Sequence, residues 1–269
     1  MNPIKIAILD LYCNHPNQGM RCIKSIVDEQ IYPMTWHVYD ARSKNEIPSL
    51  DYDIYISTGG PGDPLNDEGL WEKNYLELAD KIFDNNVNDK KEKKFAFFIC
   101  HSFQVLSHHL KIAEVTKRKS TAFGIFPVHI TEEGKNDSIL KNLPEPFYAV
   151  DSRDWQVIQP NEKRIKEIGA EVLALEKMRP HVNLERAVMA IRFSNEIFGT
   201  QFHPEADVVG MDFYFKREDK KKQIIENHGE QKYYDMIGHL NDKDKIFLTH
   251  HTVIPEFLKN AAKELRGIV

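Results

Sequence analysis

Nucleophilic acyl chemistry needs a thiol or hydroxyl, a base to take its proton, and an acid to orient the base. This chain holds a candidate for each. Cys100 ends an unbroken apolar run, Phe95-Ala96-Phe97-Phe98-Ile99, and from Phe103 the apolar residues recur at Leu106 and Leu110. The run reads as a strand buried on both faces, and the later spacing as a helix. Cys100 is therefore expected on a sharp strand-to-helix turn. Such an elbow presents a nucleophile at the carboxyl end of a sheet, and the partial positive charge of the following helix end favours an anionic sulfur. Taken alone, a cysteine at a strand end is usually a packing residue. The partners that single this one out come a hundred residues later, in His203-Pro204-Glu205. Pro204 restricts His203 to an extended backbone. In an extended segment residues two apart point the same way, so imidazole and carboxylate can face one another.

The elements that must carry these groups alternate. Ile4 to Leu9 reads as a buried strand, Gly19 to Asp28 as a helix, and Thr35 to Tyr39 and Tyr52 to Ile56 as two further strands. The last runs into Ser57-Thr58-Gly59-Gly60-Pro61-Gly62-Asp63-Pro64. Glycine and proline at a strand end let main-chain N–H groups turn towards a ligand, although such a loop alone is only a loop. Leu70 to Phe83 reads as a helix, and Asn85 to Lys94 as a solvated connection. This alternation predicts an α/β fold with a mostly parallel, doubly wound, flavodoxin-like sheet, whose ligands bind at the carboxyl ends of the strands.

Beyond the elbow, short strand candidates follow at Gly124 to Ile130, Phe147 to Val150, Trp155 to Ile158, Val172 to Leu175, Val188 to Phe193 and Ile197 to Gln201. The last two read as a hairpin around Ser194-Asn195-Glu196. From Ala206 the pattern is helical and charged, over Phe213 to Asn227, Lys232 to Leu240 and Pro255 to Leu265. The expected organisation is a core over residues 1–205 and a helical C-terminal extension over 206–269, packed on the same domain as a cap or a self-association surface.

A formal net charge of −5 gives no basic footprint for nucleic acid. No apolar run is long enough for a membrane span, and the N-terminus lacks the organisation of a signal peptide. Cys13, Cys22 and Cys100 form no paired pattern, which suits free thiols in a reducing cytoplasm; Cys13 and Cys22 read as loop or packing residues. There are twelve histidines but no HExxH spacing, so no metal site is expected.

The succession of a strand running into Gly59-Gly60-Pro61-Gly62, a cysteine elbow followed by Gln104, and Phe202-His203-Pro204-Glu205 resembles the class I glutamine amidotransferases. Among these it is most similar to the stand-alone amidotransferase domain proteins named GMP synthase-like, over roughly Ile4 to Glu205. The resemblance implies a catalytic triad of Cys100, His203 and Glu205. It implies an oxyanion hole from N–H groups of the Gly59–Gly60 turn and of His101, with Gln104 helping to hold the substrate glutamine. The implied reaction hydrolyses the glutamine side-chain amide through a thioester, without metal or organic cofactor. The ammonia would pass to a separate synthase subunit, since the chain has no room for an ATP-dependent synthase domain. Two departures stand out. Phe98 and Ser102 occupy positions where the family elbow usually has glycine, so the turn or the pocket is expected to be altered. Val150 to Trp155 lacks the histidine of the family's serine–histidine pair. A γ-glutamyl hydrolase acting alone, and a non-catalytic binding protein on the same fold, are the rival readings.

Overall fold

The computed structural model describes residues 2–66, 69–88, 91–178 and 184–268, apart from the side chains of residues 220, 223, 227 and 228. Its first half follows the apolar pattern. β1 (Ile4–Asp10), α1 (Gly19–Asp28), β2 (Met34–Asp40), the single turn α2 (Ala41–Lys44), β3 (Ile54–Ser57), α3 (Leu70–Val87), β4 (Phe95–Ile99) and α4 (His101–His109) come in order. β5 (Glu114–Ile130), α5 (Glu132–Asn136), β6 (Phe147–Ile158), α6 (Glu162–Ile168), β7 (Glu171–Glu176), β8 (Val188–Arg192) and β9 (Ile197–Thr200) follow. The chain then runs through α7 (Val208–Lys216), α8 (Glu218–His228), α9 (Glu230–Leu240) and α10 (Leu248–Leu265).

The strands form one sheet in the order β2-β1-β3-β4-β9-β8-β7-β5-β6. Pairing from β2 across to β9 is parallel, and from β9 to β6 antiparallel. This is an α/β fold with a mixed sheet. The hairpin expected at residues 194–196 is present, closed by Phe193 N–H on the Ile197 carbonyl at 2.9 Å.

β4 is buried on both sides, and alternation sends its side chains into two cores. Phe95, Phe97 and Ile99 join Ile6, Ile8 and the apolar face of α1 on one side of the sheet. Ala96 and Phe98 join Tyr75, Leu78 and Phe103 on the other. α10 belongs to the first of these cores: Val253, Ile254, Phe257 and Leu258 are buried there, and the Phe257 ring lies 5.1 Å from that of Phe97. α7 to α9 instead cover the outer strands, where Ile125, Val150, Phe215, Tyr233 and Met236 form a third cluster.

Several boundaries differ from the expectation, each for a local reason. α3 runs on to Val87, because the Asn86 side chain bonds both the N–H and the carbonyl of Lys94 and so secures the helix end; residues 89 and 90 of that connection lie outside the described residues. β6 is one strand where two were expected. Its centre carries the polar Asp151, Ser152, Arg153 and Asp154, which break the apolar alternation, and the pairing with β5 shifts register there, between Lys117–Trp155 and Ala122–Arg153. α7 and α8 are two helices, divided at Arg217, whose backbone is extended. α10 begins seven residues before Pro255, which lies inside it.

Candidate active site

The carboxyl ends of four parallel strands converge. β1 delivers Leu11 and Tyr12, β3 the Gly59–Gly60 turn, β4 Cys100, and β9 the segment to Glu205. They open on a cavity of about 550 Å³ whose wall includes Gly60, Cys100, His101, Gln104, His203 and Glu205.

Cys100 sits at φ 50°, ψ −100°, between β4 and α4. A non-glycine residue there stores about 1–3 kcal/mol of strain, which the surroundings must hold. Two bonds do so. Cys100 N–H donates to Thr200 O at 2.7 Å. The buried Ser102 hydroxyl accepts from Ile99 N–H at 2.8 Å and lies 3.0 Å from the carbonyls of both Ser57 and Ile99. Ser102 thus ties the elbow to the end of β3, a bond that glycine cannot make. Phe98 does not narrow the pocket, contrary to the expectation. Its side chain enters the core on the opposite side, edge-on to Phe193, and its partner across the ladder is Gly199. A Cβ on Gly199 would come within 2.9 Å of the Phe193 and Phe103 rings, so the aromatic packing around Phe98 uses the room that this glycine leaves.

His203 N–H donates to Val150 O at 2.8 Å, which joins the triad segment to β6. The imidazole Nδ1 lies 2.8 Å from Glu205 Oε1, and the ring and the Cys100 side chain lie together beside Gly59 on the wall of one cavity. Sulfur, imidazole and carboxylate are therefore gathered at one edge of the cavity. Burial alone would lower the His203 pKa. The charges of Glu205 and Cys100 outweigh it and hold the imidazole well above its usual range. Glu205 is 1 % exposed. Its Oε1 also receives the Tyr12 hydroxyl at 3.5 Å, its Oε2 has no partner among the described residues, and its carbonyl meets His250 Nδ1 of α10 at 2.9 Å. Burial, then Glu205, push the Tyr12 phenol far up, so it remains a donor.

Gly59 lies behind the pair rather than on the cavity wall. A Cβ there would stand 2.9 Å from His203 Cε1 and 3.5 Å from Cys100 Cβ. Gly60 does line the cavity, with its α-carbon pressed against the Leu11 carbonyl. Gln104 lines it too, and its Nε2 donates to Trp155 O at 3.1 Å and to Gln201 Oε1 at 3.2 Å. Gln201 was not singled out from the sequence. The available signal was the alternation Gln201, His203, Glu205, which puts all three on one face of an extended segment. The stretch Val150 to Trp155, which lacks the family's histidine, instead holds Arg153, buried and bonded to both oxygens of Asp151 at 2.8 and 3.0 Å. Cys22 also faces the cavity, but burial pushes its thiol up to about 12, so it stays protonated. Among the described residues no cluster of histidine, cysteine and carboxylates could hold a metal ion, and no helix is long and apolar enough to cross a membrane.

The sequence model of the family described as glutamine amidotransferase class-I matches residues 21–217, which span the elbow and the His203–Glu205 segment. The chain is 30% identical over 157 residues to a subunit of the glutamine-hydrolysing GMP synthase of Sulfurisphaera tokodaii, an alignment covering 58% of this chain and 68% of that one. Its fold is similar to that of a glutamine amidotransferase from Thermotoga maritima, with a TM-score of 0.68 at 13% identity, over 98% of this chain and 99% of the other. It is also similar to the glutaminase domain of a Trypanosoma brucei CTPS solved with acivicin bound, with a TM-score of 0.58 at 13% identity, over 99% and 95%. The chain belongs to the class I glutamine amidotransferase family, whose GMP synthase subunits it resembles.

Proposed function

We propose that this protein is a glutaminase that releases ammonia from the side-chain amide of glutamine. The observation that carries the reading is the meeting of Cys100, His203 and Glu205, residues from two distant segments, on the wall of one cavity. Cys100 Sγ attacks the amide carbon, and the carbonyl electrons move onto oxygen. That oxyanion is held by N–H groups of the Gly59–Gly60 turn and of His101, a donor of this kind being worth roughly 3 kcal/mol of barrier. His203 gives its proton to the amide nitrogen, the C–N bond breaks, and ammonia leaves a γ-glutamyl thioester. His203 then takes a proton from water, which attacks the thioester, and glutamate departs as the thiolate re-forms. Glu205 keeps the imidazole oriented and stabilises its charged form throughout. Gln104, whose nitrogen end is engaged, meets the substrate with its carbonyl end. The step needs no metal or organic cofactor.

Likeness to part of a GMP synthase supports a separate synthase partner as the user of the ammonia. Three free thiols, one of them exposed, support a reducing cytoplasmic setting. Within this reading α7 to α9 cap the cavity, while α10 completes the core. The test is ammonia release from glutamine by the purified chain and by Cys100→Ala. Release by the parent alone is the expected result; equal rates would refute it.

A second reading rests on cavity size. Glutamine fills only about 150 Å³ at the density of organic solids, and the cavity is several times larger, with Phe123, Trp155, Phe213 and Tyr214 on its wall. That favours a γ-glutamyl amide with a bulkier amine, hydrolysed without a partner.

A further inference from the structure

The proposed mechanism gives no role to Gln201, which links Gln104 to the nucleophile. The Trp155 carbonyl can only accept a hydrogen bond, and Gln104 Nε2 donates to it at 3.1 Å. This fixes which end of the Gln104 amide is nitrogen. The same Nε2 lies 3.2 Å from the Gln201 side chain, which must therefore present its oxygen there. The Gln201 NH₂ group is left facing the other way, and it meets Cys100 Sγ at 3.8 Å. Gln201 is fully buried and Gln104 nearly so. A flipped Gln201 amide would set two NH₂ groups against each other and a carbonyl oxygen against the sulfur, at buried side chains where such mismatches are costly.

We propose that Gln201 is a catalytic residue whose side-chain amide donates a hydrogen bond to the Cys100 thiolate, and that Gln104 is the positioning residue that sets its direction. The proposal rests on Cys100 being the nucleophile. Gln201 transfers no proton and forms no covalent bond. It stabilises negative charge on sulfur before attack, and the bond weakens as that charge passes through the new C–S bond to the carbonyl oxygen. It re-forms when the thioester is hydrolysed. A buried amide dipole held in place by Gln104 does this without reorganisation during the reaction. Ser152 O, 3.8 Å from the same sulfur, can serve only the protonated thiol, so the two contacts divide the two states of Cys100 between them.

The test reads the sulfur directly, not turnover. In a Cys13→Ser background, which removes the exposed thiol, the rate of Cys100 alkylation by iodoacetamide is followed against pH. Gln201→Met keeps the length and removes the donor, and should move the midpoint up by roughly one pH unit. Gln201→Glu can still accept from Gln104 but sets an anion against the sulfur, and should move it further. Gln104→Met frees the Gln201 amide to rotate and should give a smaller shift in the same direction, with no further shift when combined with Gln201→Met. A folded Gln201→Glu or Gln201→Met protein with an unchanged midpoint overturns the proposal. So does a Gln104→Met shift that adds fully to that of Gln201→Met. If no amide is hydrolysed by the parent, the glutaminase reading fails, while the alkylation profile still decides the hydrogen bond.

Discussion

The two halves of the sheet use opposite chemistry to support one site. The parallel half, β2 to β9, is held by apolar packing on both faces: Ile6, Ile8, Ile56 and Phe97 are fully buried. In its inner strands β3, β4 and β9 the groups of Ser57, Cys100 and Thr200 come where the strands end. The antiparallel half buries charge within its strands. Arg153 in β6 pairs with Asp151 at 2.8 Å and approaches Glu176 of β7 at 3.7 Å, and Glu176 also takes Arg118 of β5 at 3.3 Å. The first half contributes the reacting groups, and the second sets the backbone beside them, through Val150 O on His203 N–H and Trp155 O on Gln104. A sheet edge can thus carry strained chemistry on one side because a rigid ionic lattice frames it on the other.

Substitutions can break this division at either side. On the parallel side, Cys100→Ala should remove amide hydrolysis by about 10⁴-fold or more while leaving the thermal midpoint near that of the parent, as read by an ammonia assay and by calorimetry. On the antiparallel side the order reverses. Arg153→Met leaves the buried Asp151 without its partner and should cost about 3–5 kcal/mol in denaturant unfolding. Stability unchanged by that substitution would mean that the ion cluster frames nothing. Gly59→Ala pushes a methyl group towards His203 Cε1 and should slow turnover about 10²-fold through misplacement of the ring, with little loss of stability.

Glu205→Gln sharpens the electrostatic side of the comparison. It should bring the His203 titration, followed by NMR of the imidazole, down from its raised position. The sign for stability follows. A histidine raised in the folded state stabilises fully below its unfolded pKa of about 6.5, and that contribution is lost as pH rises through the folded value. The variant should therefore lose part of the parent's decline in stability above that pH. The smallest effect belongs to the surface: Arg21→Ala removes the half-exposed pair with Asp207 and should cost under about 1 kcal/mol in the same unfolding measurement.

What could be read in the sequence follows the same division. β1, β3 and β4 announce themselves as apolar runs, because strands buried on both faces have nothing else to show. Their ends locate Cys100 and the glycine turn. β5 and β6 were legible only in pieces. Arg118, Asp151 and Arg153 read as polar interruptions, since one sequence does not say that a buried arginine has a carboxylate waiting on another strand. Pro255 suggested a helix start, yet the first two turns of α10 precede it, and packing of Val253 and Ile254 in the core overrides the lost hydrogen bond. Gln201 stayed hidden because its significance depends on the amide of Gln104, almost a hundred residues away.

The central claim is that Cys100, activated beside His203 and Glu205, is the atom that attacks a γ-carboxamide. Incubation with a diazoketone analogue of glutamine, followed by peptide mass mapping, tests it most directly. One adduct per chain on the Cys100 peptide, suppressed by excess glutamine and absent from Cys100→Ala, is the predicted result. Labelling of Cys13 or Cys22 in its place, or no labelling of a folded protein, would contradict it.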